Sequence, residues 1–306
     1  MITEQREALW QSLHQLAPLK LAGGWDNVGV LWDPPQPEGE ARAPGEERIL
    51  LTIDLTESVM REAIEHDCSV IVAYHPVIFG GLKRITPQTA QGRVLLTAAQ
   101  RGIGIYSPHT ALDAVPGGVC DWLAAVALTP LDTPLPPLHD AHNWPTPLAT
   151  YQAIEPCDVD QSVPSGAGRR AQLQTPVPLS VILKRLHVRL NQDANPDECK
   201  EVYLRAVTPD SADPESLTIS DIALCPGAGG GLFEGVSGVD LLITGEMRHH
   251  DLLHRAQSGT AVILTEHSRC ERGFLTEYAR LIRGSIGAEV LISRVDDDPL
   301  WLYKPE

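Results

Sequence analysis

The sequence predicts an α/β fold of two linked lobes with largely parallel or mixed sheets. Apolar runs of strand length alternate with helix-length stretches between about residues 48 and 126. The connections between them are short, and the same rhythm resumes from about residue 179 to 295 after a proline-dense interval. Such alternation is what a parallel sheet covered by helices on both faces looks like in one dimension.

In chain order, residues 4–17 place Ala8, Leu9, Leu13, Leu16 and Ala17 at helical spacing, so an amphipathic helix is expected there. A Gly-Gly-Trp-Asp-Asn turn follows at 23–27, then a Pro/Gly/Glu-rich loop over 34–47. Arg48 to Ile53 reads as a strand, Thr56 as the cap of a helix reaching about Glu65, and Ser69 to Ala73 as a second strand. Thr89 to Arg101 is a helix, Ile103 to Tyr106 a third strand and Gly118 to Val126 a third helix. The second half opens with helix Leu179 to Leu190, strand Val202 to Val207 and a polar loop over 209–216. Strand Ile222 to Cys225, helix Gly231 to Val236, strand Val239 to Thr244 and helix His249 to Ser258 come next. Strand Ala261 to Leu264, helix Cys270 to Ile282 and strand Glu289 to Val295 complete the pattern. Prolines 130, 134, 136, 137, 145, 147, 156 and 164 mark the interval between the halves. The expected division is therefore a first lobe over 1–130, a Pro-rich junction over 131–170 and a second lobe over 171–306. The C-terminal part of that second lobe has the option of packing back on the first. The acidic tail after Arg294 is expected at the surface, and no residue-level repeat is visible.

The 306 residues are 43% hydrophobic and 21% charged, a globular balance large enough for two domains. A net charge of −16 repels phosphate backbones, and aromatic residues at 5% leave few stacking platforms, so general nucleic-acid binding is not expected. No run approaches the ~18 apolar residues of a membrane span, and no secretory leader opens the chain, so a cytoplasmic protein is expected. Cysteines 68, 120, 157, 199, 225 and 270 form no CxxC pair and are read as free thiols, several of them buried.

Chemistry concentrates where apolar runs stop. In parallel sheets ligands bind beyond the carboxyl ends of the strands. Asp54, His75, His109 with Asp113, Glu246 to His250, and His267 with Glu271 all occupy such ends. Pro76 keeps His75 out of the helical region. His75 alone reads more readily as a simply hydrogen-bonded strand-end residue, and Asp113 reads equally as a turn or cap. His267 and Glu271 fall one helical turn apart, on one face if a helix starts by Ser268, and could grip one ion or bridge two. Glu246, Arg248, His249 and His250 form a polar cluster that fits either plain surface or contact with ligands and substrate. Cys225-Pro-Gly-Ala-Gly-Gly-Gly231 could cradle phosphate or simply pack tightly, and it lacks the P-loop Lys-Ser/Thr. Lys83, Arg84, Arg248 and Arg269 could supply charge for a phosphate.

Taken together, several segments resemble one family. They are Trp25-Asp-Asn-Val-Gly29, Tyr74-His-Pro76, Ile78-Phe79, Lys83-Arg-Ile-Thr86, Gly104-Ile-Tyr-Ser-Pro-His-Thr110 with Asp113, Gly227-Ala-Gly229, Thr244-Gly-Glu246, His249-His-Asp251, and His267 with Glu271. They run in the order of the Nif-three-like family, also described as GTP cyclohydrolase I type 2 homologues. Tyr74 in place of a first histidine resembles its eukaryotic-type branch. The resemblance implies two α/β lobes, a homohexamer built from dimers, and one or two divalent ions per chain. The ion could be Zn, Mn, Fe, Ni or Mg. It further implies His75, Asp113, His267 and Glu271 as ligands, Glu271 bridging, with Tyr74 leaving the second ion short of an imidazole. Asp26, Tyr74, Lys83, Arg248, His250 and Arg269 would stand behind the ligands or touch substrate.

Three functions follow. One is a metal-dependent hydrolase of a nucleotide or related phosphate-bearing small molecule, with His109, Glu246 or His249 as acid or base. Another is a non-catalytic metal-binding or protein-interaction scaffold, favoured by Tyr74 and the absence of a recognisable nucleophile. DNA-related regulation is opposed by the charge.

Overall fold

The computed structural model describes residues 4–35, 47–137, 148–157, 165–192 and 202–300. In chain order the elements begin with α1 (Glu4–Leu16), β1 (Gly29–Trp32), β2 (Arg48–Thr52), α2 (Glu57–Glu65) and β3 (Val70–Ala73). They continue with α3 (Ala90–Arg101), β4 (Gly104–Ser107), α4 (His109–Ala114) and α5 (Val119–Leu128). Next come β5 (Leu148–Gln152), β6 (Glu155–Pro156), β7 (Gly166–Ala167), β8 (Arg169–Pro178), α6 (Leu179–Leu190), β9 (Arg205–Val207) and β10 (Thr218–Cys225). The last are β11 (Leu241–Thr244), α7 (His249–Gln257), β12 (Ala261–Leu264), α8 (Arg269–Arg272), α9 (Phe274–Ile286) and β13 (Glu289–Ile292). Mixed sheets with helices between parallel strands make this the expected α/β class. Among the described residues no helix is long and apolar enough to cross a membrane.

The chain divides into two compact units, Met1–Leu112 with Phe274–Glu306, and Asp113–Gly273. This division falls elsewhere than the proline-dense interval at 131–170, of which residues 138–147 and 158–164 lie outside the described residues. The C-terminal helix and strand return to the first unit, the option left open by the sequence, whereas residues 113–130 belong to the second. The described part of the interval carries β5, β6, β7 and the start of β8, so proline density is not the same thing as the seam between cores.

In the first unit one sheet has the order β1-β4-β3-β2-β13. The inner pairs β3–β4, β2–β3 and β13–β2 are parallel, and only β1 runs antiparallel, against β4. Val70 to Ala73 and Gly104 to Ser107 are buried throughout, as strands covered on both faces must be. Thr56 and Thr89 each accept a backbone N–H in the first turn of α2 and α3, and Gly102 ends α3 in the left-handed conformation. The described tail after Arg294 lies at the surface as expected, apart from one residue. Asp296 is buried, and its carboxylate accepts the Ile53 N–H just past β2 at 2.7 Å.

The second unit holds a six-stranded sheet in the order β5-β8-β10-β11-β12-β9 and the small ribbon β6-β7. Only β10, β11 and β12 are parallel neighbours, in the register Cys225, Thr244, Leu264. The antiparallel strands β5 and β8 were not anticipated. In β8 the inward positions are Arg169, Ala171 and Leu173, and a charged residue at an inward position hides the alternation. Arg169 is fully buried because Asp121 of α5, also fully buried, accepts from its Nε at 2.6 Å. The same carboxylate accepts from the Tyr151 hydroxyl of β5. This cluster pins β5, β8 and α5 together. Removing one partner of such a pair costs about 3–5 kcal/mol. Two helices also differ from expectation: residues 232–235 form only a 3-10 turn, and the helix expected over 270–282 is split into α8 and α9.

Candidate metal centre

The first unit sets three acid or imidazole groups just past neighbouring parallel strands. Asp54 follows β2, His75 follows β3 and His109 follows β4. The β2–β3 ladder continues past its last pair, with Tyr74 N–H donating to Thr52 O and His75 N–H to Ile53 O. His75 is thereby fixed as an extended strand end. Its Nδ1 lies 3.0 Å from Asp54 Oδ1. An imidazole held this way at Nδ1 presents Nε2 as its ligating nitrogen, the usual arrangement of metal-binding histidines.

His109 repeats the arrangement. Its Nδ1 lies 2.8 and 2.9 Å from the two oxygens of Asp26, which also accept from Thr110 N and Oγ1 and from Asn27 N. Burial alone would raise the Asp26 carboxyl, but the hydrogen bonds from His109, Thr110 and Asn27 outweigh it and hold the group below its ordinary value. His109 also adopts a positive φ of 32°, a sparsely populated backbone state that functional sites tolerate when their surroundings fix it. Tyr74 is buried against both histidines, its ring 5.1 Å from His75 and 5.6 Å from His109, and those two rings are 5.5 Å apart. Lys83 is exposed.

The second unit does the same with another acid. Glu246 follows β11 and His267 follows β12, and His267 Nδ1 lies 3.1 Å from Glu246 Oε1. Glu266 adopts a φ of 63°, turning the chain sharply after β12 into α8. That turn brings Glu271 back onto His267, with Oε1 3.8 Å from His267 Nε2. The separation is too long for a hydrogen bond. It is close to the ~3.4 Å between two donors on one tetrahedral ion with bonds of about 2.0–2.2 Å. Glu271 is 3% exposed, although a carboxylate out of water needs a cation or several donors.

Gly227, past the end of β10, completes this cradle. Its φ is +59°, and a Cβ there would meet Glu271 Oε1 at 2.6 Å and His267 Nε2 at 3.2 Å. The glycine-rich segment thus serves close packing at Gly227. The same holds at Gly229, where a Cβ would lie 2.9 Å from both Cys225 and Thr244. Three cysteines of this unit lie below the cradle. Gly227 N–H donates to Cys270 Sγ at 3.3 Å. The Cys225 thiol is pushed up by a hydrogen bond to Cys120, then by burial, and further by Cys270 and Asp113. Burial and Glu271 push the Cys270 thiol up as well. Asp113, on α4, therefore stands close to these thiols.

The remaining expected residues lie outside this cradle. His249 and His250 are exposed at the start of α7, rings 5.3 Å apart, and Arg248 is paired with Asp251. Arg269 is buried and paired with Glu266 at 2.8 Å. Sequence reasoning flagged Glu246 as an acid or base, whereas the structure sets it on His267. Thr110 escaped notice as a site residue, and Gly227, flagged only as part of a glycine-rich segment, was not expected against Glu271 and His267, because neither carries a charged or imidazole ligand group.

Parallel strands that end in imidazoles locked onto carboxylates define an α/β protein with a metal-binding type of donor set. The DUF34/NIF3 (NGG1p interacting factor 3) family model matches residues 5–299, and the chain belongs to that family. NIF3-like protein 1 of Drosophila melanogaster is 34% identical over 295 residues, 96% of this chain and 87% of that protein. NGG1-interacting factor 3 of Saccharomyces cerevisiae is 35% identical over 300 residues, 97% of this chain and 96% of that one. A Bacillus cereus protein related to NIF3 has the same fold at TM-score 0.73 and 16% identity, covering 99% and 100% of the two chains. A Staphylococcus aureus hypothetical protein does so at TM-score 0.72 and 23% identity, covering 96% and 98%.

Proposed function

We propose that the chain is a divalent-metal protein, a metal-dependent hydrolase of a nucleotide or related phosphate-bearing small molecule. His75 of the first unit and His267 and Glu271 of the second are donors that the family resemblance implies, two imidazoles and a carboxylate. Asp113 is the further oxygen donor of this reading. The observation that carries it is the buried Glu271 carboxylate facing the Nε2 of a histidine whose Nδ1 is held by Glu246. Nitrogen and oxygen donors of this mix suit Zn, Mn, Fe or Ni.

When bound, such an ion polarises the scissile group and lowers the pKa of water towards ~7. The chain's own residues do the rest. Glu246 and Asp54 orient the two imidazoles, and the closed Gly227 turn keeps Glu271 against His267. His109, with Asp26 holding its Nδ1–H, is the group able to accept a proton at Nε2 and return it. Lys83, Arg84 and Arg248 are exposed cations available to phosphate, Arg248 also pairing with Asp251. A homohexamer built from dimers and a cytoplasmic location belong to the same reading.

The test is elemental analysis of the purified chain followed by a nucleotide panel. About one or two metal ions per chain and turnover that Glu271→Gln abolishes are expected. A metal-loaded chain with no turnover above the His267→Ala variant would leave the scaffold reading, which Tyr74 in place of an imidazole favours.

A further inference from the structure

Trp25 and Phe79 are 69% and 55% exposed, the largest exposed aromatic surfaces among the described residues, and they stand beside the half-buried Asp26–His109 pair. The indole and phenyl centroids are 6.2 Å apart at 86°. Trp25 lies 6.1 Å from His109 at 83°, and Phe79 lies 6.3 Å from it at 88°. Three rings at right angles to one another make the inside corner of a box.

The corner is built. A Cβ at Gly23 would meet Trp25 Nε1 at 2.9 Å, so a larger residue there would push the exposed indole off its own turn. Gly23 N–H donates to Thr110 Oγ1 at 3.0 Å, and Asn27 Nδ2 donates to Ile78 O at 2.6 Å beside Phe79. The turn carrying Trp25, the loop carrying Phe79 and the helix start carrying His109 are therefore tied to one another. Nothing in the packing of the first unit needs two large apolar rings in water.

We propose that Trp25, Phe79 and His109 form a binding corner for a flat heteroaromatic ring of the purine type. The ring stacks on one exposed aromatic face, turns an edge to the other, and donates a ring N–H to Nε2 of the imidazole that Asp26 orients. This deepens the hydrolase reading, on which it rests, by assigning the substrate's ring to these residues. A second protein copy is a poorer occupant. It would seal the outer nitrogen of the part-exposed His109 ring under apolar surface, whereas a ring with an N–H at its edge satisfies it.

The experiment uses the full-length chain and two probes: inosine, a purine ring without phosphate, and ribose 5-phosphate, a phosphate without a ring. Calorimetry is expected to show inosine binding that ribose 5-phosphate does not displace. Trp25→Ala and Phe79→Ala should each weaken inosine binding about tenfold, the scale of one lost stacking contact. Trp25→Phe should keep most of it. Elemental analysis of the same samples should show unchanged metal content. Glu271→Gln should lose metal and still bind inosine, so failure of the metal reading is seen separately from failure of the corner. The inference is overturned if inosine does not bind, if ribose 5-phosphate displaces it, or if both alanine variants bind it as the parent does. It is equally overturned if those variants change the oligomer in light scattering while inosine affinity stays the same.

Discussion

Two segments of this chain, one in each unit, are built alike up to a single residue. In the first, β2 leads through the nine-residue α2 to β3, and His75 lies 21 residues after the Asp54 that holds it. In the second, β11 leads through the nine-residue α7 to β12, and His267 lies 21 residues after Glu246. They part after the histidine. Pro76 keeps His75 extended and sends the chain into irregular structure, so the residue four places on, Phe79, is an exposed ring. Ser268 is helical at φ −73° and ψ −22°, so the residue four places after His267, Glu271, returns to it as a buried carboxylate. One choice between proline and serine separates a strand end that offers a hydrophobic surface from one that offers a buried carboxylate beside its histidine.

The hardest blow to this comparison should be Gly227→Ala. The left-handed backbone and the overlap with Glu271 and His267 together cost about 1–3 kcal/mol. Metal affinity should fall by more than about tenfold, read by metal content after dialysis. Unchanged metal would mean that the second segment owes nothing to its cradle. Asp54→Asn and Glu246→Gln come next and should act alike, each lowering metal affinity about 10–100-fold as lost orienting partners do. An effect confined to Glu246→Gln would make the resemblance between the segments one of form alone. The first unit also carries Asp26, which has no counterpart in the second. Its carboxyl is held low, so its contribution is present above the unfolded value of ~3.9 and lost as pH falls through the folded value. Asp26→Asn should cost about 1.5–3 kcal/mol at neutral pH by urea unfolding, and the gap should close towards pH 2. The smallest difference lies at the helix starts. Thr56 caps α2, whereas Arg248 gives α7 no side-chain cap. Thr56→Ala should lower stability by about 1 kcal/mol, and Arg248→Ser should raise it by up to about as much.

Much of this was legible in the sequence. The wholly apolar strands β3 and β12 announce themselves, as do helices opened by Thr56 and Thr89, and the histidines stand out because they end apolar runs. Other features were hidden for physical reasons. Strand β8 turns a charged Arg169 inward, which only the distant Asp121 makes tolerable. The 21-residue spacing carries different acids, Asp54 and Glu246, so it is no repeat of letters. The role of Gly227 lies in an absent side chain. The return of β13 to β2 is a pairing across most of the chain, which local pattern cannot express.

That return of β13 also sets an order of events. The second unit is one uninterrupted stretch, Asp113–Gly273, whereas the first needs both ends of the chain. During synthesis the inserted unit can complete its core while β2 still waits, one side unpaired, for Glu289–Ile292 to emerge. An open strand edge is a template for any other extended chain. The nascent first sheet is therefore the part of this molecule most in need of protection, and its last strand is the stopper.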